Sequence, residues 1–453
     1  MSLVPTQARV ERAAAPEVAI PAVVGADLTV PVLGGGSREY ANLDHAASAP
    51  CLAAVRQAVD QLLPFYASVH RGAGYASQVC TAVYEQARQA LRAFVGARRG
   101  DAVVVTRNTT DSLNLLARAV PSGTSVVLFD TEHHAALLPW RGPNVHRIAT
   151  PAAVDAALAE LDRALRACPV GPRLVVVTGA SNVTGEVWPV ARVAEVARRH
   201  GARVALDAAQ LAPHRPIDMR ELDVDYVALS GHKLYAPFGA GALVGRADWL
   251  QAANPYLAGG GATSQVTDLG DRLGVAWARV PERHEAGSPN VVGAHALAVA
   301  VDELGRNWAG VVHHERALTA RLRAGLATVP GLTELSLFGP DHDRVGVVSF
   351  TVAGHDAGLL AAALSAEHGI GVRDGAFCAH VATTRLLRRA GAGEKRALRA
   401  SLGLGTTAEH VDRLVAALRA LVSTGPAGEY QLRDGRWAPV ADDRPLPASL
   451  LGR

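Results

Sequence analysis

Lys233 stands between an apolar run and a glycine-rich run in the stretch ALSGHKLYAPFGAGALVG, residues 228–245. Lysine usually favours solvent, but the neighbours of Lys233 indicate a confined site. A lysine in a water-poor site has a lowered pKa and becomes a nucleophile toward aldehydes. Asp207 ends another apolar run, RVALD at 203–207, and a carboxylate buried at such a point needs a cationic partner.

A cofactor with both an aldehyde and a basic ring nitrogen would satisfy these two residues. Pyridoxal phosphate offers both groups, and its phosphate suits hydroxyls and backbone amides at a helix N-terminus. Thr109 and Thr110 directly precede the helical pattern DSLNLLARAV, so they are placed for that contact. Taken singly, Asp207 could simply cap a strand and Lys233 could lie on the surface, but the combination favours a cofactor site.

Five short apolar runs supply the elements that must position these residues. They are AVVVT (102–106), SVVLFD (125–130), LVVVT (174–178), RVALD (203–207) and YVALS (226–230). Runs of this kind are typical of strands covered on both faces, and helical patterns alternate with them. The alternation predicts βαβ units and a mainly parallel sheet. Polar segments follow the strands at the sheet edge where ligands bind in open α/β folds: RNTT, TEHH, GASN, Asp207 and SGHK.

Composition narrows the function classes. The 453 residues suit two or three packed lobes, and a net charge of +3, from 45 basic and 42 acidic residues, does not indicate a nucleic-acid surface. No apolar run reaches membrane-spanning length, and no secretory signal is expected. The four cysteines form no CxxC pair, so neither a disulfide framework nor a metal site is predicted, and a cytoplasmic location is expected.

The chain is predicted to have four parts. Residues 1–38 lack periodicity and are interpreted as an N-terminal arm, and residues 39–290 hold the alternating strands and helices. From residue 291 the pattern changes to GAHALAVAVDELGRNWA, DRVGVVSFTV and RALRASLGLG, which indicates a smaller α/β domain over 291–424. Residues 425–453 form a C-terminal tail that no pattern explains.

Several motifs together resemble one family, the class V aminotransferase-fold enzymes. They are LDHAASAP, VHRG, NTTDSLNLLA, TEHHAALLPW, SNVTGEVWPV, LDAAQLAPH, SGHKLYAPFGAGALVG, HEAGSPN and RASLGLG. Their order is similar to that of the SUF-type (group II) cysteine desulfurases and selenocysteine lyases, over roughly residues 40–420. The resemblance implies the fold type I of pyridoxal-phosphate enzymes, α/β with a large domain around a mainly parallel mixed sheet and a smaller C-terminal α/β domain.

The resemblance also implies roles for individual residues. Lys233 would hold the cofactor covalently, Asp207 would pair with its ring nitrogen, and His133 would stack on the ring and move a proton. The implied cofactor-binding set is Thr109, Thr110, His133, Asn182, Asp207, Gln210, Ser230, His232, Lys233 and Ser288. The implied substrate-binding set is Arg399, Arg373, Asn182 and His45. Ser288 would reach the phosphate of the partner subunit, since the family's enzymes are homodimers with shared sites.

Cys378 distinguishes the possible chemistries. In the family a nucleophilic cysteine follows an arginine by five residues, as Cys378 follows Arg373, although Ala376 and Phe377 replace two histidines of that pattern. The resemblance therefore implies removal of sulfur from L-cysteine, giving alanine and a persulfide on Cys378, with a sulfur-acceptor protein as a possible partner. The alternative is a C–S lyase, epimerase or aminotransferase acting on another amino acid, in which Lys233 and His133 remain catalytic and Cys378 is a small buried thiol. A third alternative is a binding subunit without catalysis.

Overall fold

The apolar runs form the strands of a seven-stranded sheet in the computed structural model, which describes residues 20–393 and 396–451. In chain order, the elements up to the last strand of this sheet are β1 (Thr29–Pro31), β2 (Ser37–Glu39), β3 (Ala41–Asn42), α1 (Ala53–Leu62), α2 (Tyr75–Phe94), β4 (Ala102–Thr106), α3 (Thr109–Ala119), β5 (Ser125–Phe129), α4 (His134–Leu137), β6 (Val145–Ile148), α5 (Val154–Ala167), β7 (Arg173–Thr178), α6 (Val190–Arg199), β8 (Arg203–Asp207), β9 (Tyr226–Ser230) and β10 (Gly241–Gly245).

The remaining elements include a second sheet and its helices. They are α7 (Ala247–Ala252), β11 (Thr263–Asp268), β12 (Leu273–Trp277), α8 (Val291–Arg306), α9 (Trp308–Leu326), β13 (Leu332–Glu334), β14 (Val347–Val352), α10 (Ala357–His368), β15 (Ile370–Gly371), β16 (Arg373–Gly375), α11 (His380–Arg389), β17 (Ala397–Ser401), α12 (Ala408–Thr424), β18 (Tyr430–Arg433), β19 (Arg436–Pro439) and α13 (Ala448–Leu451). Within the described ranges, no helix is long and apolar enough to cross a membrane.

The large sheet has the strand order β4-β10-β9-β8-β7-β5-β6. Its neighbours from β9 to β6 pair in parallel, and only β10 is antiparallel, to β4 and β9. All five apolar runs are strands of this sheet, so the predicted mainly parallel mixed sheet is confirmed. Because the parallel strands share one direction, the segments that follow them meet at one edge.

Strand β10 was not predicted, because its sequence GALVG begins and ends with glycine. Both glycines are required by close contacts with the neighbouring strand. A Cβ on Gly245 would lie 2.3 Å from the carbonyl oxygen of Asp225, and one on Gly241 would lie 2.5 Å from that of Leu229. The glycine-rich run after Lys233 is therefore a buried strand that packs tightly beside β9.

The second sheet has the order β13-β14-β17-β16 and is antiparallel. Residues near both ends of the described chain pack on this part: β3 pairs in parallel with β15, and Glu367 of α10 accepts hydrogen bonds from the backbone of Gly428 and the hydroxyl of Tyr430. The tail thus contains a hairpin of β18 and β19. Residues 1–19 of the predicted arm lie outside the described residues, and the four-part division of the chain stays a prediction.

Candidate functional site

A cavity of about 170 Å³ opens at the carboxyl ends of the parallel strands. Most of the residues singled out from the sequence line this one cavity. They are Thr109, Thr110, His133, Asn182, Asp207, Gln210, Ser230, His232, Lys233, Arg373, Cys378 and Arg399. The site therefore combines loops of the large sheet with two arginines from the second sheet.

Asp207 and Lys233 form the centre of the cavity. Asp207 is the last residue of β8, is 3% exposed, and its Oδ1 accepts a hydrogen bond of 3.0 Å from the backbone N of Ala209. Burial raises the pKa of Asp207, while the Ala209 amide and Lys233 oppose that rise. Lys233 lies in the turn after β9, and burial lowers its pKa to about 8 although Asp207 works in the other direction. A large fraction of this amine is therefore neutral and nucleophilic near pH 8.

His133 lies over the same cavity at the N-terminus of α4. Its Nδ1 accepts a hydrogen bond of 3.0 Å from the backbone N of Ala135, so the neutral ring carries its proton on Nε2. Burial and the nearby Lys233 lower the pKa of His133 to about 3. The ring is therefore uncharged over the physiological pH range and can face an aromatic ligand without a desolvated charge.

Thr109 begins helix α3, and both Thr109 and Thr110 line the cavity, so the first turn of the helix, whose backbone N–H groups lack partners within the helix, lies at the cavity's edge. The helix is capped by Asn108, whose side chain accepts from the backbone N of Asp111 at 3.0 Å. The hydroxyl of Thr109 is buried and has no hydrogen-bond partner within the described part of the chain. An unpaired hydroxyl at a helix N-terminus fits the phosphate of a cofactor.

The residues present therefore fit pyridoxal phosphate. The cavity offers an amine of lowered pKa for the aldehyde, a buried carboxylate for the ring nitrogen, and an unpaired hydroxyl beside a helix N-terminus for the phosphate. Lys233, Asp207 and Thr109 would hold these three ends of the molecule.

Arg399 supplies a buried positive charge on the opposite side of the cavity. It lies on β17 and is 2% exposed; Nη1 donates to the backbone O of Asn182 at 2.9 Å, and Nη2 donates to Oδ1 of Asp44 at 3.0 Å. Arg373 is its register partner on β16. Asp44 was not recognised from the sequence, although it directly precedes the predicted His45.

Cys378 is exposed at the mouth of the cavity, on a loop with unusual backbone geometry. Phe377 and Cys378 have φ values of 53° and 54°, a left-handed conformation that non-glycine residues keep only when the surroundings hold it. Asn182 Nδ2 donates to the carbonyl of Phe377 at 2.7 Å, and the backbone N of His134 donates to that of Cys378 at 2.9 Å. The Phe377 ring turns inward, with the Arg399 guanidinium 5.0 Å from its centre.

Two of the predicted residues lie away from the cavity lining. His45 is 5% exposed and packs so closely on Gly403 that a Cβ there would lie 2.2 Å from its Nδ1. Burial lowers the pKa of His45 to about 4. Ser288 is exposed in the segment that precedes α8.

The fold and the cavity define a class of enzyme. A family model described as aminotransferase class-V matches residues 41–414, so the chain belongs to the class-V aminotransferase family, whose members depend on pyridoxal phosphate. The class predicted from the sequence motifs is confirmed.

Several relatives of this chain are named cysteine desulfurases. It is 35% identical over 408 residues to the cysteine desulfurase of Dickeya dadantii, covering 87% of this chain and 95% of the relative. It is 36% identical over 394 residues to that of Klebsiella pneumoniae, covering 84% and 92%. Among solved structures, it is similar to the apo cysteine desulfurase of Thermococcus onnurineus, with a TM-score of 0.75, 30% identity and coverage of 85% and 95%. It is also similar to the cysteine desulfurase CsdA of Escherichia coli, with a TM-score of 0.71, 32% identity and coverage of 84% and 94%.

Proposed function

We propose that this protein removes sulfur from L-cysteine, giving alanine and a persulfide on Cys378. The observation that carries the proposal is that the exposed thiol of Cys378 shares one cavity with Lys233 and Arg399. A nucleophilic thiol, a nucleophilic amine and a carboxylate-binding guanidinium are the three groups that this reaction requires. The names of the relatives support the same activity.

The cofactor supplies an aldehyde and a ring that withdraws electrons from the substrate's Cα. Lys233 Nζ would hold the cofactor through that aldehyde and would be the base that removes the substrate's Cα proton. Asp207 would hold a positive charge on the ring nitrogen, because a buried carboxylate stabilises a cation at its side. Thr109 and the N-terminus of α3 would bind the phosphate, with Ser230 and His232 beside them.

Arg399 binds the substrate's carboxylate, together with Arg373 from the neighbouring strand. Arg399 can make two parallel N–H···O bonds, which fix both the position and the direction of the carboxylate. Cys378 then attacks the substrate's sulfur as a thiolate: the new S–S bond forms while the Cβ–S bond breaks, and the bond electrons remain on the substrate carbon. Protonation of Cβ and return of the proton from Lys233 to Cα complete alanine.

A homodimer with shared sites is part of the proposal. Ser288 is exposed and lies outside the cavity of its own chain, which suits a role at the phosphate of the partner subunit. The projecting hairpin of β11 and β12 carries apolar side chains that are largely exposed, including Val266 at 53% and Leu273 at 65%. Four free cysteines, one of them exposed, suit a cytoplasmic location, and a separate sulfur-acceptor protein would discharge Cys378.

The test is to incubate the cofactor-loaded protein with L-cysteine and to measure alanine, pyruvate and protein persulfide. Alanine and persulfide are expected in equal amounts during the first turnover. The Cys378→Ala variant is expected to form no persulfide, while the matched Cys51→Ala variant, which removes a half-buried thiol elsewhere, keeps wild-type rates. Pyruvate without alanine, or a fully active Cys378→Ala variant, would replace this function by that of a lyase or aminotransferase.

A further inference from the structure

A hydrogen-bonded series of buried polar side chains connects Lys233 to helix α9. Lys233 Nζ lies 3.4 Å from Oε1 of Gln210, and Gln210 Nε2 lies 3.3 Å from Nε2 of His214. His214 Nδ1 contacts Oε2 of Glu315, and Oε1 of Glu315 accepts from Arg215 Nη1 at 2.5 Å. Gln210, His214 and Glu315 are 3%, 6% and 6% exposed, so water does not compete for these contacts.

Arg215, the last group of this hydrogen-bonded series, determines which atom donates in each hydrogen bond back to Lys233. Arg215 can only donate, and it supplies the positive charge that a buried carboxylate needs. Burial by itself would raise the pKa of Glu315, but His214 and Arg215 bring it below its usual value. An ionised Glu315 can only accept, so the ring proton of His214 is on Nδ1.

The remaining two groups are then fixed as well. A neutral His214 ring with its proton on Nδ1 presents Nε2 as an acceptor, which matches the approach of Gln210 Nε2 to within 3.3 Å, so the facing atom of Gln210 is its NH₂ group. The other end of the amide, the carbonyl oxygen, therefore faces Lys233. A reversed amide would bring two N–H donors against the amine of Lys233.

We infer that Glu315 and His214 are positioning residues, which set the orientation of the Gln210 amide so that its oxygen accepts a hydrogen bond from Lys233. The inference rests on the proposed function, since it concerns the amine that binds the cofactor. The oxygen holds one N–H of Lys233 and thereby directs the nitrogen lone pair. It also stabilises the ammonium form, so it contributes to the pKa at which the amine becomes nucleophilic.

The substitution Glu315→Gln reverses the donor and acceptor roles along this hydrogen-bonded series, while the side chain of residue 315 keeps nearly the same shape. Arg215 keeps the carbonyl oxygen of residue 315 on its own side, which turns the new NH₂ group toward Nδ1 of His214. Nδ1 then accepts, the ring proton moves to Nε2, and Gln210 must turn its oxygen toward His214. Lys233 faces the NH₂ group, and its pKa falls by about one unit, the size expected for one lost hydrogen bond to a charged group.

The pKa of Lys233 can be measured in the cofactor-free protein. The chain has only two lysines, Lys233 and Lys395, so competitive labelling with trace acetic anhydride at a series of pH values resolves each amine, and Lys395 is the internal reference. The other charged or titratable groups around Lys233 are unchanged by the substitution: Asp207, Arg399, Arg373, Cys378, His133 and His232. A fall of about one unit in Lys233 alone is expected.

Thr319→Val is the matched control. Thr319 lies one turn further along α9, is 7% exposed, and its hydroxyl has no partner among the residues that the structure describes. This variant perturbs the same buried face of α9 but leaves the hydrogen-bonded series unchanged, so the pKa of Lys233 should stay at its wild-type value. An equal pKa shift in both variants, or none in Glu315→Gln, would show that Glu315 only holds α9 in place and would overturn the inference.

A second measurement needs no folded Glu315→Gln protein. In wild-type apoprotein with ¹⁵N-labelled histidine, the signal that disappears in His214→Asn should show a proton on Nδ1 and a bare Nε2. A proton on Nε2 would overturn the inference. Neither experiment measures turnover. A protein that forms no alanine would contradict the proposed function, whereas the pKa of Lys233 and the position of the proton on His214 would still test this inference.

Discussion

Replacing Glu285 by alanine would leave Arg88 without its buried ion-pair partner, with only the half-buried Glu85 and the carbonyl of Val103 beside it. The two side chains are each 5% exposed, and Glu285 Oε2 lies 2.6 Å from Arg88 Nη2 while Oε1 lies 2.8 Å from Nη1. The same carboxylate accepts from the backbone N of Val105 at 2.6 Å and from the Tyr84 hydroxyl at 2.9 Å. Removing one partner of such a buried pair costs about 3–5 kcal/mol.

The position of Glu285 gives this loss a functional consequence. Val105 is on the strand that leads to Thr109, and Glu285 is three residues before Ser288, so the carboxylate ties together two segments proposed to bind phosphate. At about 1 °C per kcal/mol for a chain of 453 residues, Glu285→Ala is expected to lower the thermal unfolding midpoint by about 3–5 °C. The midpoint should be compared at one scan rate on the cofactor-free proteins, because large proteins often unfold irreversibly.

Glu160→Ala is the control for Glu285→Ala. Glu160 pairs with Arg163 on the outer face of α5, where the side chains are 35% and 77% exposed. An ion pair in water contributes below about 1 kcal/mol, so the midpoint should move by no more than about 1 °C. Glu285→Gln, which keeps an acceptor for Arg88, should lie between the two. If Glu285→Ala unfolds within the range of the Glu160→Ala control, the buried pair does not stabilise the fold as argued.

Three further outcomes are expected. Because burial lowers the pKa of Lys233 to about 8, the rate at which the apoprotein takes up pyridoxal phosphate should rise from pH 6 to 9 as the amine loses its proton, and a rate independent of pH would contradict this. Asp207→Asn should slow alanine formation at least ~100-fold in kcat/KM, because a neutral partner no longer holds charge on the ring nitrogen; a loss below tenfold would make Asp207 only structural. Ser288→Ala should speed cofactor loss on dilution without changing the sedimentation of the protein, and a fully active monomer would refute the proposed shared site.

The parts of the fold that were predicted are those with a local signal. A continuous apolar run such as LVVVT identifies a buried strand by itself, and the polar segment after it lies at the ligand-binding edge because parallel strands share one direction. Asp207, Lys233 and Thr109 could therefore be brought together from the sequence. Strand β10 could not be recognised, because nothing in its own sequence shows that the neighbouring backbone leaves no room for a side chain at Gly241 and Gly245.

The contacts that hold the site together join residues that are far apart in the sequence, so no short stretch of sequence predicts them. Arg399 could have been a surface residue on a helix, yet it lies on a central strand of the second sheet and is almost fully buried. A guanidinium is stable there because three groups from distant parts of the chain surround it: Asp44, the carbonyl of Asn182 and the ring of Phe377. Phe377 is also one of the residues that depart from the family's pattern before the cysteine. Its ring packs on the arginine proposed to bind the substrate, and its carbonyl is held by Asn182. The left-handed loop that presents Cys378 is therefore stabilised by the side of the cavity that is proposed to bind the substrate.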